Sequence, residues 1–366
     1  MPGTGERAYA YAKACGVIGK SYIGDRIKNL EKAGKLSELD ELLFPGEAHN
    51  LPEKELLRTF ENRIAARTVK SVISIVECFS NPPELLILLI RSYEYADLKN
   101  ALVSAIQMET KASVHTDIGQ YQTVRFNKWP DIKAMIEGTE FEFLLEKNSI
   151  LYNDPKGKHS PDGAPHGSIR QDPGRIHVET VIDRHYYNAL WKSLSSLKVR
   201  DRRAAERILS DEISLRNSSW VLRLRTYYYM KAGEVMPHLI DIPLESRYSK
   251  KGKTGQSLAD AAIHCIDFQL DNYEEWSSWR WKQFVNSNTG ERFWHIDPRY
   301  FQNAAARYLY RLARRNFHMY PGSIDTIFCF LKMKQFDEDI LTSQAEGLGM
   351  GLSGQDTLGF LRVTDL

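Results

Sequence analysis

At residues 85–100 the sequence runs LLILLIRSYEYADLKN, an apolar helical stretch that passes into charged and aromatic residues. Two related stretches follow at residues 211–217 and 327–340. The matching places in the three copies are Leu98, Leu215 and Ile340. The intervals between them are 215 − 98 = 117 and 340 − 215 = 125 residues, close to 122, one third of the 366-residue chain. The pattern therefore indicates one helical unit written three times.

A chain of like helical units is typically built to present a surface, because each unit contacts its neighbours in the stack. We predict a mainly α fold of three related helical subdomains, at residues 1–120, 121–235 and 236–366. The middle unit contains a stretch rich in Pro, Gly, Asp and His at residues 153–175, which predicts a surface loop or linker.

Apolar residues at helical spacing place the main helices within these units. The predicted helices cover residues 6–43 (with a second helix at Leu36–Leu43), 53–79, 84–108, 130–147 and 323–345. Strand signals are few, and residues 121–126 are the candidate for a short strand. Four glycines between residues 347 and 354 predict a poor helix at the C-terminal end.

Composition favours a soluble globular protein, since 26% of the residues are charged and 42% are hydrophobic. A net charge of +2 does not favour nucleic acid, which normally needs a concentrated basic face. Four widely spaced cysteines, without a CxxC pair, indicate reduced thiols in a cytosolic protein. Without a secretory signal or an apolar run of the roughly 20 residues that a span requires, any membrane role is expected to be peripheral.

Two short motifs resemble catalytic loops but lack the residues that define them. Residues 250–254 end in Gly-Lys-Thr, yet the glycine of a phosphate-binding loop is replaced by Arg247, so we expect a solvated basic turn. Ser257 lacks the closing glycine of a nucleophile elbow and is predicted to be a helix N-cap. Adjacent His264 and Cys265 do not face each other on a helix, which argues against a catalytic pair.

Acidic residues raise the alternative of a helical enzyme that binds a magnesium–diphosphate. Asp267 and Asp271 are four residues apart and would share a helix face, and Glu338 lies between two aspartates. A magnesium site needs several carboxylates that converge on one cavity, whereas an amphipathic surface helix explains the pair equally well. The histidines show no zinc-ligand spacing, and we predict surface or interfacial roles for His159, His166, His177 and His185.

Two basic faces and one aromatic segment remain as candidate contact surfaces. The first face comprises Arg307, Arg311, Arg314 and Arg315, and the second Arg200, Arg202, Arg203 and Arg207. Each could meet an acidic partner or anionic headgroups, or could be a solvated helix surface. The aromatic segment comprises Trp276, Trp279, Trp281, Phe284, Phe293 and Trp294, for which a core role is favoured over an exposed one.

Several stretches, taken in order, resemble the C subunit of V/A-type rotary ATPases, whose family includes the vacuolar subunit d. They are Tyr9–Ala12, Tyr93–Lys99, Val181–Tyr187, Asp211–Arg216 with Val221–Arg223, and Pro321 with Lys332 through Glu346–Gly347. The resemblance covers nearly the whole chain, and the family fold is a funnel of three related helical subdomains. The present sequence departs from the family pattern at Asp337-Glu338-Asp339, where an arginine–asparagine pair is common in the family.

The resemblance implies a non-catalytic coupling subunit with no catalytic, cofactor-binding or metal-binding residue. Its expected partners are the central-stalk shaft subunits and the membrane proteolipid ring, with no nucleic acid and no membrane span. Its expected place is the cytoplasmic face of the membrane, as a peripheral subunit in ion transport and ATP synthesis or hydrolysis. The alternatives are a soluble helical scaffold or adaptor and the magnesium–diphosphate enzyme.

Overall fold

The computed structural model describes residues 2–47, 52–107, 114–145, 173–244, 256–288 and 293–363. Within these ranges the backbone is mainly helical and contains no strand, which confirms the predicted fold class. The α-helices are α1 (Thr4–Ile18), α2 (Leu36–Leu43), α3 (Glu53–Val76), α4 (Glu84–Ile106), α5 (Ile132–Ile136), α6 (Pro173–Ser193), α7 (Val199–Tyr228), α8 (Ala232–Val235), α9 (Asp260–Cys265), α10 (Tyr273–Ser277), α11 (Pro298–Phe317), α12 (Ile324–Gly349) and α13 (Gly354–Leu361).

The long helices α3, α4 and α12 confirm the strongest sequence patterns. Pro83 stands at the N-cap of α4, where its missing N–H leaves no helical hydrogen bond unmade. Ser323 caps α12, since its hydroxyl accepts a hydrogen bond from the Thr326 amide at 3.2 Å. Helix α12 packs against α1, α2, α3, α4, α7, α11 and α13 and is the centre of the fold. The three matched residues Leu98, Leu215 and Ile340 are all buried.

Three secondary-structure predictions were wrong. The helix predicted over 6–43 is interrupted after Ile18, and residues Gly24–Lys32 form a 3-10 helix that begins at a glycine with φ of 62°. The strand predicted at 121–126 does not form, because the Glu94 carboxylate accepts hydrogen bonds from the Thr123 and Val124 amides. The helix predicted over 130–147 shortens to α5 and a 3-10 turn at Glu142–Leu145, separated by Gly138 with φ of 75°.

Three of the four C-terminal glycines lie within or at an end of a helix, which corrects the prediction of a poor helix there in part; Gly351, with φ of 83°, lies in the turn where the helix breaks. Helix α12 continues to Gly349, and Gly354 opens α13. A Cβ at Gly354 would stand 2.7 Å from the carbonyl oxygens of both Leu30 and Ala33. Glycine is therefore used here for close helix approach, a role that outweighs its low helix propensity.

The buried apolar residues form two clusters. The larger lies among α1 to α4, α6, α12 and the first half of α7, and the smaller lies among the second half of α7, α9, residues 266–284 and the first half of α11. The smaller cluster confirms the core role for Trp276, Trp279, Trp281 and Phe284, whereas Phe293 is 89% exposed. Trp279 stacks on Phe301 with ring centroids 5.4 Å apart.

None of the helices in the described parts of the chain combines the length and the apolar character needed to cross a lipid bilayer. The loop predicted at 153–175 lies outside the described residues except for 173–175, where α6 begins. The basic turn at 250–254 also lies outside them.

Candidate partner-binding cleft

A polar cleft, which we call the central cleft, runs between helices α4, α6, α7 and α12. It consists of two adjoining cavities of about 390 Å³ and 280 Å³. The residues that line both cavities are Lys99, Asp183, Tyr187, Glu212 and Arg216. The larger cavity is also lined by Tyr93, Lys332, Glu338 and Asp339. Cations and carboxylates therefore share one concave surface.

Asp183 on α6 is the centre of the first charge group in the cleft. Its carboxylate accepts a hydrogen bond from Lys99 Nζ on α4 at 2.9 Å and another from Arg216 Nη2 on α7. Burial by itself would raise the pKa of Asp183, but Arg216 and Lys99 together outweigh burial and lower the pKa below its ordinary value. Asp183 is thus a buried acceptor that is charged at neutral pH and joins three helices.

A second charge group connects α7 with α12. Lys332 Nζ lies 2.7 Å from Glu212 Oε2, and the Tyr187 hydroxyl donates a hydrogen bond to Glu212 Oε1 at 3.1 Å. Burial raises the pKa of Tyr187 well above its ordinary value, so this phenol stays protonated and remains a donor.

Two acidic residues at one end of the cleft hold protons more tightly than usual. Burial raises the pKa of Glu338 to about 7, with a hydrogen bond from the Tyr93 hydroxyl acting in the opposite direction. Desolvation by the surrounding protein raises the pKa of Asp339 to about 6, although its side chain is exposed to solvent in the cleft. The nearby charge of Lys332 counteracts part of this rise. No described residue forms an ion pair with Asp339, so its carboxylate is available to a partner.

The acidic residues considered as magnesium ligands do not come together. Helix α9 ends at Cys265, so Asp267 and Asp271 do not share a helix face, which corrects the sequence interpretation. Asp337 accepts hydrogen bonds from the Tyr22 amide and from Lys334, while its neighbour Glu338 binds Tyr93. In the part of the chain that the structure describes, no three His, Cys, Asp or Glu side chains lie close enough to hold a metal ion.

Of the remaining candidates, Cys265 and His185 have structural contacts, and His177 is exposed as predicted. Ser257 is not the N-cap of α9, since that helix begins at Asp260 after Ala259. Cys265 is buried and donates to the Ala262 carbonyl, and burial raises the pKa of its thiol. His185 stacks on Phe143 at 4.8 Å and shares a hydrogen bond of 3.0 Å with the Tyr95 hydroxyl. His159 and His166 lie outside the described residues.

Each basic face has three exposed arginines and a fourth that is less exposed. On α11, Arg307 donates to the Leu361 carbonyl at 2.7 Å, whereas Arg311, Arg314 and Arg315 are exposed. On α7, Arg202 lies 3.8 Å from Glu206. The exposed members of that second face are Arg200, Arg203 and Arg207.

Sequence reasoning did not assign Lys99, Asp183, Glu212, Arg216 and Lys332 to one site. A signal was nevertheless present, because Lys99 and Arg216 each follow the matched leucine of their helical copy directly. Their partners lie far away in sequence, and only the packing of α4, α6, α7 and α12 brings them together.

The described residues thus define a mainly helical body with a charged cleft between its helices. The model of the ATP synthase (C/AC39) subunit family matches residues 44–358. The chain belongs to this family and is therefore a subunit of the rotary ATPases, as the sequence resemblance indicated.

A relative from Treponema pallidum (strain Nichols), described as an uncharacterized protein, is 28% identical over 346 residues. The alignment covers 94% of the present chain and 92% of the relative. The likeness therefore extends over nearly the whole length of both chains.

Proposed function

We propose that this protein is a non-catalytic coupling subunit of a V/A-type ATPase or ATP synthase. In this role it joins the central rotor shaft to the membrane proteolipid ring, and it works as a peripheral subunit on the cytoplasmic face. The three predicted units, at 1–120, 121–235 and 236–366, would form a funnel whose interior includes the central cleft. Membership of the family supports the assignment to a rotary ATPase, and the central cleft supports the proposed coupling role within that complex.

The observation that carries the proposal is that residues from all three predicted units meet in the central cleft. Lys99 comes from the first unit, Asp183 and Glu212 from the second, and Lys332 and Glu338 from the third. A shaft end seated in the cleft would contact every unit at once. Force applied there would be distributed over the whole body.

The same contacts make the body suitable for the transmission of torque. The pairs Lys99–Asp183 and Lys332–Glu212 each join a residue of one predicted unit to a residue of another. The side chains in these pairs are between 7% and 21% exposed, so solvent screens them less than it screens surface pairs. A closely packed helical interior adds low compressibility. Both features favour a rigid spacer.

The proposal is tested by charge reversal inside the cleft. Asp339→Arg alters a carboxylate that is accessible and unpaired among the described residues, so it leaves the ion pairs around Asp183 and Glu212 in place. We expect binding to the purified shaft subunits to weaken about tenfold or more, because reversal replaces an attraction with a repulsion. Binding is measured by surface plasmon resonance at two salt concentrations.

The matched control is Glu41→Arg, which reverses an exposed charge on α2 and should leave shaft binding within about twofold of the native value. Equal affinity of the Asp339 and Glu41 variants for the shaft subunits would show that the central cleft does not bind the shaft. Co-purification tests the role itself: the protein should accompany both shaft and proteolipid subunits from gently washed membranes. Recovery without any ATPase subunit would favour the adaptor alternative.

A further inference from the structure

A second concave surface, which we call the terminal groove, lies where α1, α7 and α12 begin. Its volume is about 550 Å³. The residues that line it are Pro2, Thr4, Arg7, Ala8, Tyr11, Lys198, Arg200, Asp201, Pro321, Gly322 and Ser323. It includes one member of the second basic face, for which the central cleft provides no role.

The charge of the terminal groove is positive because its acidic residue is already neutralised. Arg7 Nη1 lies 2.9 Å and 3.0 Å from the two carboxylate oxygens of Asp201, and both residues line the groove. Lys198 and Arg200 are exposed, and neither forms an ion pair with any described residue. Two cations are therefore left for a partner.

Two buried carboxylates, one near the start of α7 and one near the start of α12, join these two helices at the groove. Asp325 accepts hydrogen bonds from the Ala204 and Ala205 amides at 2.8 Å and 3.0 Å, and Asp201 accepts one from the Ile324 amide at 3.4 Å. Each of these carboxylates lies in the first turn of its own helix, where it compensates the helix dipole, and both already accept hydrogen bonds from the protein. The attraction for an anionic partner comes from the side chains of Lys198 and Arg200.

The walls of the groove are apolar and continue onto an exposed apolar surface. Ala8, Tyr11 and Pro321 contribute the walls, and the two residues before Pro321 are Met319, 51% exposed, and Tyr320, 43% exposed. Exposed aromatic residues and methionines next to unpaired cations are typical of protein interfaces.

We propose that the terminal groove binds an acidic polypeptide segment that also carries an apolar or aromatic side chain. The carboxylates of the segment pair with Lys198 and Arg200, and its apolar side chain enters between Tyr11 and Pro321. A concave site of this volume holds individual side chains, whereas an anionic bilayer presents a broad surface that would reach only the exposed rim. The chemistry of the groove therefore favours a peptide over lipid headgroups.

The terminal groove is separate from the central cleft, so it provides a second contact besides the proposed shaft seat. Along α7, Asp201 and Glu212 are 11 residues apart in the sequence, which corresponds to roughly 16 Å of helix. A partner in the groove would leave the cleft accessible.

The experiment measures fluorescence anisotropy of a short fluorescein-labelled peptide made of Glu and Asp with one Tyr and one Leu, added to the full-length protein. We expect saturable binding that weakens with salt. The double variant Lys198→Glu/Arg200→Glu should bind about tenfold more weakly, and the neutral variant Lys198→Gln/Arg200→Gln about threefold. A peptide with Gly in place of Tyr and Leu should also bind more weakly.

The matched control is Lys28→Glu/Lys32→Glu, which makes the same change in net charge at two exposed residues of the 3-10 helix Gly24–Lys32. That helix lies beside the far end of α12, where the Gln344 side chain donates to the Leu30 carbonyl. The affinity of this control variant for the peptide should stay within about twofold of the native value. Equal losses in both double variants, or no saturable binding by the native protein, would overturn the proposal. So would loss of binding to phosphatidylserine vesicles in the groove variant while peptide binding is unchanged.

Discussion

Replacement of Asp183 by asparagine tests whether the central cleft is held together by charge. The substitution keeps the shape of the side chain but leaves Lys99 and Arg216 facing a neutral amide. Asp183 is 7% exposed, whereas Lys99 is 21% and Arg216 is 35% exposed, so the two cations can be partly hydrated in the variant. The expected loss in the free energy of unfolding lies between the values for surface and fully buried pairs, at about 2–3 kcal/mol.

The assay is urea unfolding followed by the helical circular dichroism signal, over a range of pH. Because Asp183 has a lowered pKa in the folded protein, its contribution is complete above the ordinary value of 3.8. The contribution is lost as the pH falls through the lower folded-state pKa. The difference between native protein and variant should therefore be constant from pH 8 to about 5 and shrink below about 4.

The control for this prediction is Asp267→Asn, an exposed residue outside any helix, which should change stability by about 0.5 kcal/mol or less. The double variant with Lys99→Met should show a coupling energy of about 1 kcal/mol with Asp183→Asn. A loss at Asp183 no larger than that at Asp267, or a difference that does not depend on pH below 4, would refute the electrostatic explanation.

Two further predictions concern the Glu338 carboxyl group on α12 and the close helix approach at Gly354 on α13. The pKa of Glu338 is raised from 4.5 to about 7, so the folded protein binds this proton more tightly, and native stability should fall as the pH rises through that window. Glu338→Gln should remove this pH dependence and raise the free energy of unfolding by up to about 3 kcal/mol relative to the native protein at pH 8. The measurement is the melting temperature of both proteins as a function of pH. Parallel curves for the two proteins would contradict the prediction. Gly354→Ala should lower the free energy of unfolding by about 1–3 kcal/mol, because the new Cβ would meet the Leu30 and Ala33 carbonyls. Gly359→Ala in the same helix is the control. Its Cβ would meet no atom within 4 Å, so this substitution should be neutral or stabilising. Equal effects of the two glycine substitutions in thermal unfolding would show that close approach is unimportant at Gly354.

Sequence periodicity was most accurate for helices whose sequence signals lie within the helix itself. The stripes of α3 and α4 and the cap of α12 involve residues a few positions apart, and the structure places them as predicted. The strand predicted at 121–126 was wrong for the opposite reason. Its backbone amides bind the carboxylate of Glu94, which lies 29 residues before Thr123.

Tertiary packing alone decided the central cleft. Lys99 and Asp183 are 84 residues apart, and Lys332 and Glu212 are 120 apart. Each side chain in isolation is typical of a solvated helix surface. The pKa of Glu338 also depends on the helices packed around it.

By itself the sequence determined a mainly helical chain, the positions of its longest helices and its resemblance to the rotary-ATPase subunit family. These properties follow from apolar spacing and from short motifs kept in order, which act over a few residues at a time. The tertiary structure decided which charges meet and which glycines admit a neighbouring helix. Those contacts depend on the relative placement of whole helices, which no local pattern specifies.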